Sequence, residues 1–250
     1  MPRAESLAEP GSGCATIAAD EVIRSVRQAA DPYARLSSSA QRASCGESKT
    51  RLRQRLLASQ IRAATRCLIG QGGVNEVTLR RIARQCDLSP QTIYNLVGTR
   101  DEVVAAAISE YHAATFSAAH NLTKHPHFLM ALADVTWAQS VVSADFIRKL
   151  NACYFESSSP VRAAIRTQST RLIQAELAAT SPRLPLYGFK GERLAEAIFG
   201  SLALASFNWR TVHNDADLLR QCVLFDVGSL LIAVGGDESG AIRRWIPALN

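Results

Sequence analysis

Apolar residues recur every three or four positions along most of the chain, which is the period of an amphipathic α-helix. The first strong example begins after Thr50, a candidate N-cap, and ends at the glycines between residues 70 and 73. Arginine occupies its polar face. No convincing stretch alternates apolar and polar residues as a half-buried strand would. The pattern therefore predicts an all-α protein.

Two short helices follow the first. Residues 78–86 carry apolar side chains at i, i+3, i+4 and i+7, with Thr78 as N-cap. After a tight turn, Ser89 and Pro90 provide the N-cap and the first residue of a helix over 90–96. Two short helices joined in this way are typical of a helix-turn-helix.

A capping box marks the start of the next helix. Thr99 and Glu102 have the spacing at which each side chain satisfies a backbone donor of the other, and the helix is predicted to reach about residue 115. Segments containing Pro, Ser or Gly separate several of the remaining predicted helices. These cover residues 128–140, 144–155, 160–180, 192–212 and 215–234.

Composition divides the chain into three parts. Residues 1–47 are rich in Ala, Ser, Gly and Arg, with only a weak helical period near 18–30, and we interpret them as a mostly disordered extension. Residues 48–111 form the predicted helix-turn-helix domain. Residues 112–250 form a larger helical domain.

The positive charge of the protein lies in the helix-turn-helix region. Residues 48–100 carry ten basic and two acidic side chains, whereas the rest of the chain carries eighteen basic and twenty acidic ones. Such a concentrated basic block indicates binding to a polyanion.

The outward side chains of helix 90–96 are suited to DNA. Gln91 and Asn95 can pair with adenine, Thr92 can contact a thymine methyl group, and Tyr94 can reach a phosphate. Contacts to the DNA backbone are expected at helix N-termini and at basic residues beside them. The candidates are Thr78, Arg80, Ser89, Thr99 and Arg100.

Residues 51–111 resemble the N-terminal domain of the TetR family of transcriptional regulators. The resemblance is carried by residues 73–83, 88–96 and 100–103, although Arg100 stands where lysine is usual and Val74 where an aromatic residue is common. It implies an all-helical homodimer whose larger domain binds a small-molecule effector. The function expected on this basis is a repressor that binds a palindromic operator as double-stranded DNA and is released by the effector.

The segments 192–212 and 215–234 are the candidate dimer helices. The first carries many small residues, and the second has more apolar surface than one buried face needs. A purely intramolecular core is the alternative. The candidate liners of an effector pocket, which could also be ordinary core aromatics, are Trp137, Phe146, Tyr154, Phe155 and Phe199.

Other functional classes lack their signatures. No P-loop, dinucleotide fingerprint or nucleophile elbow occurs, so we predict neither an enzyme nor a bound cofactor. Six widely spaced cysteines exclude a zinc knuckle, and Cys67 and Cys86 fall on predicted apolar faces. A metal site is also not expected from the four histidines near the middle of the chain, since they lack ligand spacing. These are His112, His120, His125 and His127.

The location of the protein follows from similar absences. No apolar run is long enough for a membrane span, and the N-terminus lacks the apolar core of a secretory signal, so we expect a cytoplasmic protein.

An alternative function is an all-α adaptor or enzyme that uses the helix-turn-helix to dock another protein. An acidic recognition helix would favour that alternative. Helix 90–96 contains no acidic residue.

Overall fold

The computed structural model describes residues 48–120, 122, 128–180, 191–213, 215–235, 242 and 246. Within these ranges it contains nine α-helices and no strand, which confirms the predicted all-α class with a helix-turn-helix followed by a larger helical part. The helices are α1 (Lys49–Gly72), α2 (Leu79–Cys86), α3 (Pro90–Leu96), α4 (Arg100–His120), α5 (Phe128–Val142), α6 (Ala144–Glu156), α7 (Ser159–Thr180), α8 (Gly191–Asn208) and α9 (Ala216–Ala233). The predicted segments 1–47 and 18–30 lie outside the described residues.

Helix α1 begins earlier than the sequence predicted. Its N-cap is Ser48, whose hydroxyl accepts a hydrogen bond from the Arg51 backbone N–H at 3.3 Å, so the prediction of Thr50 as N-cap was wrong. Serine two residues upstream can satisfy the same kind of orphan donor. At the other end Gly73 has φ +80°, a backbone conformation that glycine adopts without strain.

Two other helices differ in extent from their predictions. Helix α4 continues past residue 115 to His120, because Phe116, Ala118 and Ala119 are buried there against the C-terminal helices. Helix α8 changes into a π-helical turn over Trp209–His213. Tertiary packing, which sequence periodicity does not report, sets the end of α4.

The buried side chains form two clusters. The headpiece, which we define as α1 to α3, contributes the first cluster together with α4, α6 and α7. Helices α4 to α9 contribute to the second. Tyr111 and Phe146 pack against both clusters. The predicted domain boundary between residues 111 and 112 therefore falls within an unbroken helix.

Polar contacts tie the headpiece to the rest of the chain. Glu110 on α4 accepts hydrogen bonds from Arg62 at 3.0 Å and from Arg66 at 2.5 Å, both on α1. Lys149 on α6 donates to the carbonyls of Gly70 and Gln71 at 3.0 and 3.1 Å. A cation in this position satisfies carbonyl groups left open at the end of α1.

The C-terminal helices have their own polar ties. The buried carboxylate of Asp134 on α5 pairs with Arg220 on α9. Trp137 Nε1 donates to Asp217 at 2.8 Å across the same two helices. Among the described residues, no helix has the length and hydropathy required to cross a bilayer.

The cysteine predictions have mixed outcomes. Cys86 is buried in the headpiece cluster, as predicted, but Cys67 is exposed on α1. The prediction for Cys67 was wrong because Leu68 and Ile69 take the buried face of this turn. Both thiols are free.

The Glu110 ion pairs provide a test of how the headpiece is held. Burial alone would raise the pKa of Glu110 above its ordinary value of 4.5, but hydrogen bonds from Arg62 and Arg66 outweigh it and lower the pKa. We expect Glu110→Gln to reduce the free energy of unfolding by about 1–3 kcal/mol at neutral pH, measured by urea denaturation. The same change at exposed Glu192 is the control and should cost less than about 0.5 kcal/mol.

The difference between wild type and Glu110→Gln should depend on pH. Because the pKa of Glu110 is depressed in the folded state, its contribution is complete above the ordinary value and is lost as pH falls through the folded-state pKa. Denaturation curves from pH 7 downward should therefore converge for the two proteins. A difference that stayed constant down to acid pH would contradict this role of the carboxylate.

Candidate nucleic-acid interface and internal cavity

Helices α2 and α3 form the helix-turn-helix, with Asp87 as the C-cap of α2. Asp87 has φ 54°, the left-handed conformation that ends a helix, and its backbone N–H donates to the carbonyl of Ala83. At the start of α2, the Thr78 hydroxyl accepts a hydrogen bond from the Arg81 backbone N–H at 3.2 Å. Ile82, Ala83 and Cys86 are buried against α1, which leaves the opposite side of α2 exposed.

Ser89 starts α3 as predicted. Its hydroxyl accepts from the Thr92 backbone N–H at 3.0 Å and lies 2.8 Å from the Thr92 hydroxyl. Thr92 is therefore partly engaged within its own helix and half-buried. Ile93 is fully buried, and it fixes the rotation of the helix by occupying the core between α1, α2 and α4.

Three side chains of α3 point outward. Tyr94 is 53 % exposed, a large value for an aromatic residue. Gln91 and Asn95 are also exposed, and Gln91 Nε2 donates to Asn95 Oδ1 at 2.9 Å. These two amides lie one turn apart and form a continuous surface of donors and acceptors.

Not all of the arginines in the basic block are available to a polyanion. Arg62 and Arg66 bind Glu110, and Arg81 pairs with Glu76. Arg80 on α2 is exposed. Other exposed basic residues of the headpiece are Lys49, Arg51, Arg53, Arg55 and Arg84.

The capping box at the start of α4 is present as predicted. The Thr99 backbone N–H donates to Glu102 Oε2 at 2.7 Å, and the Glu102 backbone N–H donates to the Thr99 hydroxyl at 3.3 Å. The backbone hydrogen bond from Thr99, followed by the one from its hydroxyl, lowers the pKa of Glu102. Thr99 itself remains exposed at the surface.

Arg100 is turned toward the protein. Its Nε donates to the Val77 carbonyl at 2.8 Å, and its terminal nitrogens donate to the Val74 carbonyl at 2.7 Å and to Asp101 at 3.0 Å. The guanidinium thus joins α4 to the short 3₁₀ turn Val74–Glu76 that precedes α2. This position differs from the outward orientation expected of a phosphate contact.

Residues 61–107 match the sequence model of the family described as bacterial regulatory proteins, tetR family. The match runs from the middle of α1, through α2 and α3, into α4. The chain carries a TetR-family DNA-binding domain. It is therefore a DNA-binding regulator of transcription, as the resemblance of residues 51–111 implied. No curated protein matches the chain significantly.

Beyond the TetR-family headpiece, the C-terminal helices surround a partly open cavity of about 120 Å³. It lies among α4 to α9 and is lined by apolar side chains from each of them. Three of the five residues predicted as pocket liners, Tyr154, Phe155 and Phe199, line it. Tyr154 meets the other two rings edge to face, at 5.1 Å and 5.4 Å between centroids.

Two predicted pocket residues lie elsewhere. Trp137 faces the start of α9, where it binds Asp217. Phe146 packs beside Gly70 of α1 and meets Tyr111 at 6.0 Å between ring centroids. Both side chains contribute to packing between helices rather than to the cavity wall.

Polar residues of the cavity were not predicted from the sequence. His112 Nδ1 lies 2.7 Å from the Ser169 hydroxyl, and Gln139 Nε2 donates to the Thr115 hydroxyl at 3.0 Å. All four line the cavity. The signal was the face formed by Ile108, Tyr111, His112 and Thr115 on α4, at i, i+3, i+4 and i+7, where polar groups interrupt an apolar stripe.

Two of the histidines have polar partners among the described residues. His112 is engaged with Ser169, and His120 lies 2.7 Å from Glu176. His125 and His127 lie outside the described residues. In the part of the chain that the structure covers, no three His, Cys, Asp or Glu side chains gather as a metal site would require.

The contacts of Arg100 generate a test. We expect Arg100→Ala to lower the free energy of unfolding by about 1–3 kcal/mol, because two carbonyls lose a charged donor. The Arg100→Ala protein should also bind DNA more weakly, but the salt dependence of its binding should be unchanged, because no phosphate contact is lost. The matched change, Arg80→Ala, should leave stability within about 0.5 kcal/mol and reduce the slope of log K against log salt by about one for each phosphate that Arg80 neutralises.

Urea denaturation and DNA titrations at several salt concentrations measure the two effects. The DNA is a duplex enriched by this protein from a random-sequence pool. A flatter salt slope for Arg100→Ala without loss of stability would return Arg100 to the role of a phosphate contact.

Proposed function

We propose that this protein is a homodimeric repressor that binds a palindromic operator and is released by a small molecule in the cavity. The observation that carries the proposal is the exposed, acid-free face of α3. Gln91, Tyr94 and Asn95 lie on this face, beside exposed basic residues of the headpiece. Amide side chains in a major groove pair bidentately with adenine. We assign the protein no enzymatic activity and no resident cofactor, and we expect it to act in the cytoplasm.

Contacts to the DNA backbone are proposed for the surface around α3. The exposed hydroxyls of Thr78, Ser89 and Thr99 lie at the starts of three helices, where backbone N–H groups favour phosphate. Arg80 adds an exposed charge, while the hydroxyl of Thr92 is partly committed to Ser89. Such contacts would orient α3 and leave sequence reading to its amides.

Dimerisation through α8 and α9 is supported by their exposed apolar side chains. Leu204 is 57 % exposed on α8, Val212 is exposed in the π-helical turn, and Phe225 is exposed on α9. Gly200 is exposed in the middle of α8, and a Cβ built there would meet nothing within 4 Å. Glycine in a helix interior costs about 1 kcal/mol relative to alanine, so its presence fits the close approach of a helix from a second copy.

Control by a small molecule is supported by the position of α4. The same helix contacts the headpiece through Arg100 and Glu110 and lines the cavity through Tyr111 and His112. A ligand that favours one placement of α4 over another would change the fraction of protein able to bind DNA. The extent of release from DNA is then set by the ratio of the ligand affinities of the two states.

Base reading is tested by selection from random duplexes at moderate salt. The wild-type protein should enrich a palindrome, since a two-fold dimer presents two copies of α3 to two half-sites. Gln91→Ala should lose about 1–3 kcal/mol of discrimination at one position of each half-site while retaining binding to unrelated DNA. Arg84→Ala removes an exposed basic side chain from α2. It is the control and should leave the enriched sequence the same.

Failure to enrich any palindrome would refute operator recognition. Enrichment of the same palindrome by Gln91→Ala, with no relaxed position, would remove Gln91 from the base-reading set while leaving the operator assignment intact.

The dimer helices are tested with Leu204→Glu. Sedimentation velocity should show wild type as a dimer and Leu204→Glu as a monomer, because each interface would bury two unpaired carboxylates. Affinity for the selected palindrome should fall at least tenfold, with unchanged helical content by circular dichroism. Ala164→Glu, on the exposed face of α7, should remain dimeric. A dimeric Leu204→Glu protein would exclude this face.

A further inference from the structure

The cavity wall contains no side chain with a formal charge at neutral pH. Asp, Glu, Lys and Arg are absent from the described residues that line it. Its titratable side chains are His112, Tyr111 and Tyr154. Burial lowers the pKa of His112 to about 4 and raises the pKa of Tyr111, so both are neutral at physiological pH. A charged ligand would therefore lose its hydration on entering the cavity and find no opposite charge in the wall, which makes its binding costly.

Aromatic rings form one side of the cavity. Tyr154, Phe155 and Phe199 pack edge to face, and Phe116 adds a ring from α4. Rings in this arrangement present both faces and edges to an aromatic guest. The volume of about 120 Å³ is near that of an engineered apolar cavity of about 150 Å³ that accepts benzene, which limits the guest to about one ring with a small substituent.

The hydrogen-bonding groups of the cavity wall include a pair that joins α4 to α7. His112 on α4 uses Nδ1 toward Ser169 on α7, which orients the imidazole and leaves Nε2 as its second polar atom. The hydroxyl of Tyr111, one residue away, is buried without a hydrogen-bond partner in the described structure. Buried polar atoms of this kind usually have a partner, and their desolvation is costly while they lack one.

We propose that the effector is an uncharged, single-ring aromatic molecule with one hydrogen-bonding substituent, held by the aromatic wall and by His112. The proposal rests on the proposed function, because it takes the cavity as the effector site. It adds the chemical class of the ligand and the residue that recognises its polar group.

The charge requirement is tested with probes that share one ring. Calorimetric titration of the full chain at pH 7 should show binding of benzyl alcohol, and at least hundredfold weaker binding of benzoate and benzylammonium. Cyclohexylmethanol is more apolar than benzyl alcohol, yet it should bind at least threefold more weakly because it lacks an aromatic ring. Equal binding of a charged probe, equal binding of cyclohexylmethanol or binding of none of the probes would each overturn the proposal.

The role of His112 is tested by comparing probes across variants. In His112→Leu, affinity for benzyl alcohol should fall at least fivefold, while affinity for toluene, which has no polar group, should stay within twofold. His120→Leu is the matched control: it makes the same change on the same helix, at an exposed ring that stacks on Phe128. It should alter neither affinity. An equal loss for both probes in His112→Leu would mean that His112 only shapes the cavity.

Ser169→Ala provides a second test of recognition through His112 if His112→Leu does not fold. Loss of the hydroxyl that orients His112 should weaken benzyl alcohol binding and leave toluene binding unchanged; an unchanged affinity for benzyl alcohol would count against recognition through His112. The buried hydroxyl of Ser140, which donates to the Trp137 carbonyl outside the cavity wall, supplies the control Ser140→Ala.

A separate measurement distinguishes the ligand class from effector control. Binding of the selected duplex is titrated with and without saturating benzyl alcohol. If benzyl alcohol binds as described but DNA affinity is unchanged, the ligand class holds and release by a ligand in this cavity fails. If benzoate binds more tightly and releases the DNA, effector control holds and the neutral ligand class is wrong.

Discussion

The contact between Glu110 and two arginines of α1 determines how the headpiece sits on the rest of the protein. A half-buried carboxylate needs compensating donors, and Arg62 and Arg66 supply them from successive turns of one helix. The pairing joins α4 to α1 at two successive turns. Helices α2 and α3 follow α1 after one short turn, so their orientation relative to the C-terminal helices depends on this pairing.

Helix α4 serves several neighbours because its faces have different chemistry. Val103, Val104 and Ala107 are buried, Glu110 faces α1, and Ile108 belongs to both the headpiece cluster and the cavity wall. Since residues three and four apart share a helix face, one continuous element presents a separate stripe to each region. No loop interrupts α4 between Arg100 and the cavity, so a displacement of its middle would be carried to its first turn.

Local signals in the sequence were sufficient for the headpiece. Thr78, Ser89 and the Thr99–Glu102 box predicted helix starts correctly, because a cap involves residues within a few positions of each other. Arg100 shows where such reasoning ends. Two of its three partners, Val74 and Val77, are more than twenty positions away and present backbone carbonyls, which leave no trace in side-chain patterns.

The cavity was predictable only in part. Tyr154, Phe155 and Phe199 could be proposed as aromatic residues of the C-terminal helices, but Trp137 and Phe146 satisfy the same description and pack elsewhere. Whether a ring borders a void or a neighbouring helix depends on the packing of several helices at once. Cys67 illustrates the same limit, since neighbouring Leu68 and Ile69 compete for the single buried face of α1.

A cavity wall without charge also selects the protonation state of what enters it. An amine or a carboxylic acid could occupy such a site only as its neutral form, so its apparent affinity would scale with the neutral fraction in solution. For an amine, that fraction changes about tenfold with each unit by which pH lies below its pKa. The side chains around His112 would thus make the response to an ionisable compound depend on the acidity of the surroundings, although the protein itself need not titrate.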